Sequence, residues 1–281
     1  MRLGVRERRR LLVLMLVIGT AWQCGNNGRQ EASGSVGNES SAAAPREAVA
    51  LRLTTRVLGS FPHDPEASTQ GLLWHDGRLF ESTGIWGRSS VRRVDLDSGT
   101  VESRVDLAPD LFGEGLALVG SSLIQLTWQS GRAFRYGMDS LELEGEHGYG
   151  GQGWGLCFDG VDLWRSDGSD TLWRHDAESF AVIGSTRVRH HGEPVELLNE
   201  LECAEGWIYA NIWQSEDIVR IDPASGQVMA VIDASGLLSA SEKRGAGVLN
   251  GIAYRPQTQT FFLTGKEWPR LLEVVFVEAG R

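Results

Sequence analysis

Glu114 and Lys266 are two charged residues of this sequence whose surroundings indicate chemistry rather than simple solvation. Glu114 lies between Gly113 and Gly115, where backbone groups can approach closely and neighbouring side chains cannot shield the carboxyl group. Lys266 is one of only two lysines among 27 basic residues, which favours a position that needs a compact ammonium group. A carboxyl group can accept and return a proton, and an ammonium group can stabilise negative charge.

Trp128, Trp154 and Trp213 form a second group of candidates. Tryptophan packs in protein cores more often than it lines a site. These three, however, fall in predicted loops on one side of the fold, whereas several other tryptophans fall within predicted strands. Aromatic rings at such positions can enclose an uncharged chain and exclude water.

Five sequence repeats position these side chains. The repeats begin at Gly71, Gly115, Gly155, Leu201 and Gly251, with offsets of 44, 40, 46 and 50 residues. Each repeat contains short apolar strands separated by turns, and the Asp76-Gly77 and Glu205-Gly206 pairs are typical of tight hairpins. Offsets of this size are typical of four-stranded propeller blades. The sequence therefore predicts an all-β fold, a five-bladed β-propeller, over residues 48–281.

The last repeat is one strand short. It ends after a predicted third strand over Leu272–Val277, while a strand-like run over Leu51–Leu58 precedes the first repeat without partners of its own. We predict that this N-terminal strand pairs into the last blade and closes the ring, because closure removes an open sheet edge.

Alignment of the repeats predicts two rings of residues around one mouth of the channel. The residues just before the first strands are Gln70, Glu114, Trp154, Glu200 and Asn250. The residues at the ends of the second strands are Gly84, Trp128, Gly168, Trp213 and Lys266. Because the second strand is antiparallel to the first, both sets return to the same face. Asn199, beside Glu200, is a further candidate, with an Asx turn as its alternative role.

The charge of the chain argues against nucleic acid as a partner. The formal net charge is -10, which repels phosphate backbones. The acidic character of the chain also favours a monomer.

The N-terminal residues predict export. Five arginines between Arg2 and Arg10 precede an apolar run over Leu11–Ile18 that is too short to span a bilayer, so residues 1–24 are predicted to be a signal peptide. Cys24 is a candidate for lipid anchoring, with simple cleavage as the alternative. Residues 25–47 have the composition of a flexible linker. We expect a periplasmic, membrane-anchored or extracellular protein.

The sequence does not decide whether Cys157 and Cys203 are bonded to each other. They could form a disulfide in an oxidising compartment or be separate buried thiols, and neither has metal-ligand spacing.

The repeats also contain a set of motifs that resembles a known family. In chain order they are Thr69-Gln70-Gly71-Leu72, Glu81-Ser82-Thr83-Gly84, Phe112-Gly113-Glu114-Gly115, Gln125-Leu126-Thr127-Trp128, Gly153-Trp154-Gly155-Leu156, Ser166-Asp167-Gly168-Ser169, Leu198-Asn199-Glu200-Leu201-Glu202, Leu249-Asn250-Gly251-Ile252 and Thr264-Gly265-Lys266. Over about residues 58 to 276 the chain resembles the plant and bacterial type of glutaminyl-peptide cyclotransferase, or glutaminyl cyclase. The resemblance implies an enzyme without metal or cofactor that converts the N-terminal glutamine of peptides and proteins to pyroglutamate and releases ammonia.

The resemblance also implies roles for individual residues. It makes Glu114, Asn199 and Lys266 the catalytic residues. The substrate-binding residues that it implies are Gln70, Trp128, Trp154 and Trp213. The family often has an aromatic residue two positions before the glutamine, whereas this chain has Ser68, so one wall of the substrate pocket is expected to differ.

Two other functions are compatible with a propeller. One is a non-enzymatic scaffold that binds peptides. The other is a metal-dependent hydrolase of the lactonase type, in which oxygen ligands such as Glu200 and Asn250 would converge on a hard cation. A tryptophan wall beside a single lysine fits a small uncharged substrate chain better, so the sequence favours the cyclotransferase.

Overall fold

The computed structural model describes residues 49–280 and contains 22 strands and one short 3₁₀ helix, Glu242–Arg244. In chain order the strands are β1 (Leu51–Pro62), β2 (Thr69–His75), β3 (Arg78–Thr83), β4 (Ser90–Val94), β5 (Val101–Asp106), β6 (Gly113–Val119), β7 (Ser122–Thr127), β8 (Arg132–Gly137), β9 (Leu143–Gly148), β10 (Leu156–Phe158), β11 (Asp162–Arg165), β12 (Thr171–Asp176), β13 (Val182–Arg187), β14 (Arg189–His190), β15 (Glu193–Pro194), β16 (Leu198–Ala204), β17 (Trp207–Ile212), β18 (Asp217–Ile221), β19 (Val228–Asp233), β20 (Leu249–Arg255), β21 (Thr260–Gly265) and β22 (Arg270–Glu278). The all-β prediction is confirmed. The predicted signal peptide at 1–24 and linker at 25–47 lie outside the described residues.

Most of these strands belong to antiparallel sheets that follow the chain order. The first three sheets are β2–β5, β6–β9 and β10–β13. The fourth is β16–β19, and the fifth combines β20–β22 with β1; β14 and β15 form a separate two-stranded ribbon. Between residues 49 and 280, no helix has the length and apolar character needed to cross a bilayer.

Strand β1, the first strand of the described residues, pairs with β22, the last. It pairs antiparallel with β22 over most of its length, with a register shift between Val57 and Gly59. Its first residues, Leu51 to Thr54, also pair in parallel with β19, so the fourth and fifth sheets are continuous. The strand predicted over 51–58 therefore exists, is longer than predicted and has a second partner.

The apolar core lies between the sheets. The described residues form five buried apolar clusters, and each cluster fills the space between one pair of neighbouring sheets, including the pair formed by the fifth and the first. The first strands of the sheets also contact one another in a closed circle, from β2 through β6, β10, β16 and β20 back to β2. Burial of apolar side chains between neighbouring sheets therefore holds the sheets together.

Glycine allows the first strands to approach one another this closely. A Cβ atom on Gly71 would lie 2.5 Å from the backbone nitrogen of Leu116, and one on Gly115 would lie 2.4 Å from that of Leu156. Any side chain there would separate neighbouring strands, which explains why the first two repeats begin with glycine. The hairpin prediction is also confirmed at Asp76-Gly77, where both residues have positive φ, 46° and 80°.

Cys157 and Cys203 form a disulfide with a Cα–Cα distance of 5.4 Å. Cys157 is in β10 and Cys203 is in β16, so the bond links the first strands of the third and fourth sheets. The question that the sequence left open is answered in favour of the disulfide.

Candidate active site

One cavity brings together all seven residues predicted for the site. It has a volume of about 390 Å³, within the range of small-molecule sites. Its walls are formed by Gln70, Phe112, Glu114, Trp128, Gln152, Trp154, Asn199, Trp213 and Lys266. The cavity opens at the face where the first strands begin and the second strands end.

The cavity residues occupy equivalent places in different sheets. Gln70, Glu114 and Asn199 are each the second residue of a first strand. The register of each of these strands shifts at that point against its neighbour, between residues 69 and 71, 113 and 116, and 198 and 201. Such irregularities re-aim side chains away from the normal alternation of a strand. They allow polar side chains at the strand starts to point into the cavity.

The residues at the ends of the second strands either line the cavity themselves or leave room for an aromatic ring that lines it. Trp128, Trp213 and Lys266 each follow directly after the last residue of a second strand and line the cavity. In the first sheet this position is Gly84, and in the third sheet Gly168 lies three residues after the end of β11. A Cβ on Gly84 would lie 2.4 Å from the ring of Phe112, and one on Gly168 would lie 2.7 Å from the ring of Trp154.

The prediction that Glu200 and Asn250 face the site was wrong. Both are fully buried, and neither lines the cavity. The two oxygens of Glu200 accept hydrogen bonds from the backbone nitrogens of Leu72 (3.2 Å) and Ile252 (2.8 Å), so this carboxyl group joins three first strands. Asn199, and not Glu200, is the second residue of its first strand, as Gln70 and Glu114 are, and it lines the cavity.

Asn250 supports a cavity residue instead of lining the cavity. Its Nδ2 donates hydrogen bonds to the backbone oxygen of Thr69 (2.9 Å) and to Oε1 of Gln70 (3.3 Å). This contact orients the Gln70 side-chain amide.

Three polar groups of the cavity remain available for a ligand. Within the part of the chain that the structure describes, no hydrogen bond is made by the Glu114 carboxyl group, the Lys266 ammonium group or the Asn199 side-chain amide. Burial without a protein partner is costly for polar groups, and functional sites are where it is tolerated.

Burial and charge perturb the two ionisable groups in the cavity. Burial raises the pKa of Glu114 well above its ordinary value, and the positive charge of Lys266 offsets part of that rise. Burial also lowers the pKa of Lys266, and the negative charges of Glu114 and Glu267 oppose this change. A carboxyl group with a raised pKa can both accept and donate a proton near neutral pH.

Aromatic side chains form much of the remaining wall. Trp154 and Trp213 are in edge-to-face contact, with ring centroids 5.7 Å apart. Phe112 and Trp128 make a second contact of this kind, also at 5.7 Å. Edge-to-face packing is a favoured geometry for aromatic pairs, so both contacts stabilise the wall.

The part of the chain that contributes the cavity residues matches a known family. The family model described as glutamine cyclotransferase matches residues 32–276. The chain belongs to the glutamine cyclotransferase family. The resemblance seen in the sequence motifs is confirmed.

Two individual relatives of this glutamine cyclotransferase family member agree with the assignment. A glutaminyl-peptide cyclotransferase from Arabidopsis thaliana is 43% identical over 229 residues, which cover 80% of this chain and 72% of the relative. A crystal structure of Myxococcus xanthus glutaminyl cyclase is also 43% identical, with a TM-score of 0.75, over 82% of this chain and 100% of that one.

Sequence reasoning missed two of the residues that line the cavity of this family member, Phe112 and Gln152. Phe112 lies two residues before Glu114 within a quoted motif, which was the available signal. Ser68, at the position where an aromatic residue was expected, is buried and does not line the cavity; its backbone oxygen accepts a hydrogen bond from Gly84 at 2.8 Å. Nothing in the sequence around Gln152 indicated its role.

Gln152 holds two tryptophans in place. Its Oε1 accepts a hydrogen bond from Nε1 of Trp128 (2.8 Å) and another from Nε1 of Trp154 (2.9 Å). These two bonds connect the two aromatic pairs into one wall.

We expect Gln152→Met to raise KM by about 3- to 10-fold, because methionine has a similar length but cannot accept the two indole hydrogen bonds. Steady-state kinetics on a glutaminyl dipeptide would measure the change. Gln152→Glu, which keeps an acceptor oxygen, is the matched control and should remain closer to the wild-type KM. An unchanged KM in Gln152→Met would show that the two bonds do not organise the wall.

Proposed function

We propose that this chain is a glutaminyl-peptide cyclotransferase that converts the N-terminal glutamine of peptides and proteins to pyroglutamate and releases ammonia. The observation that carries the proposal is the convergence of three uncommitted polar groups, from Glu114, Asn199 and Lys266, on one aromatic cavity. The family membership and the two relatives support the same activity.

We further propose that the five sheets are the blades of a five-bladed propeller, closed by β1. The circle of contacts among the first strands and the five clusters between neighbouring sheets support this arrangement. It would explain why residues from all five repeats reach one cavity.

The proposed reaction begins with the free α-amine of the substrate. Its reference pKa of about 7.7 to 8.0 leaves roughly a tenth to a sixth of the amine neutral at pH 7, and this is the fraction that can attack. The amine lone pair attacks Cδ of the glutamine side chain, the new ring bond forms, and the carbonyl oxygen becomes an oxyanion. In this proposal Glu114 accepts the proton from the attacking nitrogen and transfers it to the side-chain amide nitrogen. The Cδ–N bond then breaks, the carbonyl re-forms, and ammonia leaves.

The other polar residues stabilise and orient the substrate in this proposal. Asn199 donates a hydrogen bond to the oxyanion, where a fixed donor typically contributes about 2.7 to 4 kcal/mol. Lys266 adds positive charge beside it and favours the ionised form of Glu114 before the first proton transfer. Gln70 orients the amine or the first peptide carbonyl.

In this proposal the aromatic wall favours cyclisation over hydrolysis. Trp128, Trp154 and Trp213 would fold the glutamine side chain towards its own amine, which makes the intramolecular attack efficient. They would also exclude water, which would otherwise hydrolyse the amide to glutamate.

The arrangement of carboxyl groups favours this function over the metal-dependent hydrolase. Both oxygens of Glu200, one of its candidate ligands, accept hydrogen bonds from backbone nitrogens, and Glu200 does not line the cavity. Among residues 49–280, no group of three or more His, Cys, Asp or Glu side chains is placed to hold a metal ion.

Ammonia release from a glutaminyl dipeptide, measured with and without a chelator, tests the function. We expect release in both conditions, and none from the same peptide with an acetylated α-amine, because the amine is the nucleophile. A scaffold protein would release no ammonia, and a metal-dependent enzyme would be inhibited by the chelator.

The substitution Lys266→Met should move the acidic limb of the pH profile of kcat/KM to higher pH. Glu114 must be ionised to accept the first proton, so kcat/KM, once divided at each pH by the fraction of substrate whose α-amine is neutral, falls as the pH drops through the pKa of Glu114. Loss of the Lys266 charge removes the interaction that opposes the effect of burial, so the pKa of Glu114 rises further.

The other lysine provides the matched control for this experiment. Lys243 pairs with Glu216 at 2.6 Å and does not line the cavity, so Lys243→Met should keep the wild-type profile. An acidic limb that moves to lower pH or stays in place in Lys266→Met would contradict the proposed coupling.

We also propose that the protein is exported, with residues 1–24 as the signal peptide and residues 25–47 as a linker; lipid attachment at Cys24 remains an alternative to simple cleavage. The basic residues before an apolar run support export. The Cys157–Cys203 disulfide supports an oxidising compartment.

A further inference from the structure

A substrate peptide has to leave the cavity across its rim, because the cavity holds the N-terminal glutamine and the rest of the peptide continues beyond it. The rim residues therefore contact the residue that follows the glutamine. This reasoning rests on the proposed function.

Trp86 extends the aromatic wall beyond the cavity. It does not line the cavity, but its ring centroid lies 5.6 Å from that of Phe112 and 6.4 Å from that of Trp128, and both of these residues do. The aromatic surface is therefore continuous from the inner wall to the rim.

The exposure of Trp86 is unusual for this chain. Its relative exposure is 49%, while every other aromatic residue between 49 and 280 is buried or half-buried. A large apolar side chain left open beside a binding site is a typical ligand contact.

The backbone that presents Trp86 adopts a costly conformation. Ile85 has a φ of 87°, which is rare for a β-branched residue. Its carbonyl oxygen accepts hydrogen bonds from the backbone nitrogen of Arg88 (3.0 Å) and from Oγ of Ser89 (2.9 Å). Backbone strain of this kind occurs preferentially at ligand clamps and active sites.

Ser89 connects the turn at residues 85–89 to β6, the strand that contains Glu114. Its buried Oγ also accepts a hydrogen bond from the backbone nitrogen of Gly113 at 3.0 Å, one residue before Glu114. The backbone that carries Trp86 is thus anchored to the strand of the proposed catalytic carboxyl group, and an aromatic side chain, with two rotatable bonds, loses little conformational entropy on binding.

We propose that Trp86 forms a subsite for the side chain of the second residue of the substrate and that this subsite selects apolar side chains, aromatic ones above all. The subsite consists of the exposed face of Trp86 with the adjacent edges of Phe112 and Trp128. It makes this enzyme selective among peptides that all begin with glutamine.

The test compares kcat/KM for Gln-Phe-amide and Gln-Gly-amide in the wild type and in Trp86→Ala. An aromatic contact of this type should favour the phenylalanine peptide by roughly 3- to 10-fold in the wild type. In Trp86→Ala the ratio of the two values should fall towards one. Trp86→Tyr, which keeps an aromatic face, should retain most of the preference. Leu143→Ala, which removes another exposed apolar side chain from β9, should leave the ratio unchanged.

The outcomes separate this inference from the proposed function. If neither peptide releases ammonia, the proposed function fails. If both are converted but the wild-type ratio is close to one, or is the same in Trp86→Ala, the subsite is overturned and the peptide leaves the cavity by another side. The ratio within one enzyme cancels any general loss of activity, so a partly destabilised variant still gives a result.

Discussion

Glu114→Gln should lower kcat by roughly 10²- to 10⁴-fold on a glutaminyl dipeptide, with little change in KM. Glutamine keeps the size of the side chain and can still form hydrogen bonds, but it cannot exchange a proton between the attacking and leaving nitrogens. Among the described residues, none forms a hydrogen bond with the Glu114 carboxyl group, so no bonded partner is in place to carry the proton instead. Initial rates over a range of substrate concentrations would separate kcat from KM.

Thermal unfolding and a second carboxyl variant provide the controls for this experiment. Glu114→Gln should unfold close to the wild-type temperature. Glu200→Gln should mainly lower stability, because it replaces one of two acceptor oxygens that bind the backbone of β2 and β20 with a donor. Near-normal turnover by a folded Glu114→Gln variant would show that another group carries the proton.

Asn199→Ala should lower kcat by about 10²- to 10³-fold, the usual effect of removing one oxyanion donor. The side-chain amide of Asn199 lines the cavity and has no partner among the described residues, whereas its backbone oxygen accepts a hydrogen bond from Oγ of Ser166 at 2.6 Å. The substitution removes the amide and leaves the backbone contact in place. Because the oxyanion exists only during the reaction, KM should change little.

Asn211 offers a matched control for the loss of a buried asparagine. Its Oδ1 accepts a hydrogen bond from the backbone nitrogen of Gly251 at 3.0 Å, and it does not line the cavity. Asn211→Ala should reduce stability more than it reduces kcat in the folded fraction. Equal effects on kcat from both substitutions would indicate that Asn199 acts on the fold and not on the oxyanion.

The parts of this structure that could be predicted from sequence depend on local patterns. Turn pairs such as Asp76-Gly77 require positive φ, and the regular spacing of apolar strands places Glu114 and Trp128 at one mouth. The disulfide could also have been predicted: Cys157 and Cys203 each stand two residues after a repeat start, at Gly155 and Leu201, and so lie on neighbouring first strands.

The parts that could not be predicted depend on packing between distant segments. The parallel pairing of β1 with β19 and the two hydrogen bonds to Gln152 arise only when separate parts of the chain meet. The misplacement of Glu200 has another cause: the alignment of the repeats sets the fourth repeat one residue late, with Glu200 at the place of Glu114, whereas β16 begins so that Asn199 is its second residue, as Glu114 is in β6.

Product analysis in water enriched in the heavy oxygen isotope tests the central claim most directly. The claim is that the α-amine of the substrate attacks its own side-chain amide inside a cavity that excludes water. Mass spectrometry of a glutaminyl peptide after reaction should therefore show a product lighter by one ammonia and without heavy oxygen, formed in equal amount to the ammonia released. A product that carries the heavy isotope, with a free glutamate at its N-terminus, would contradict the account, because it would mean that water and not the amine is the nucleophile.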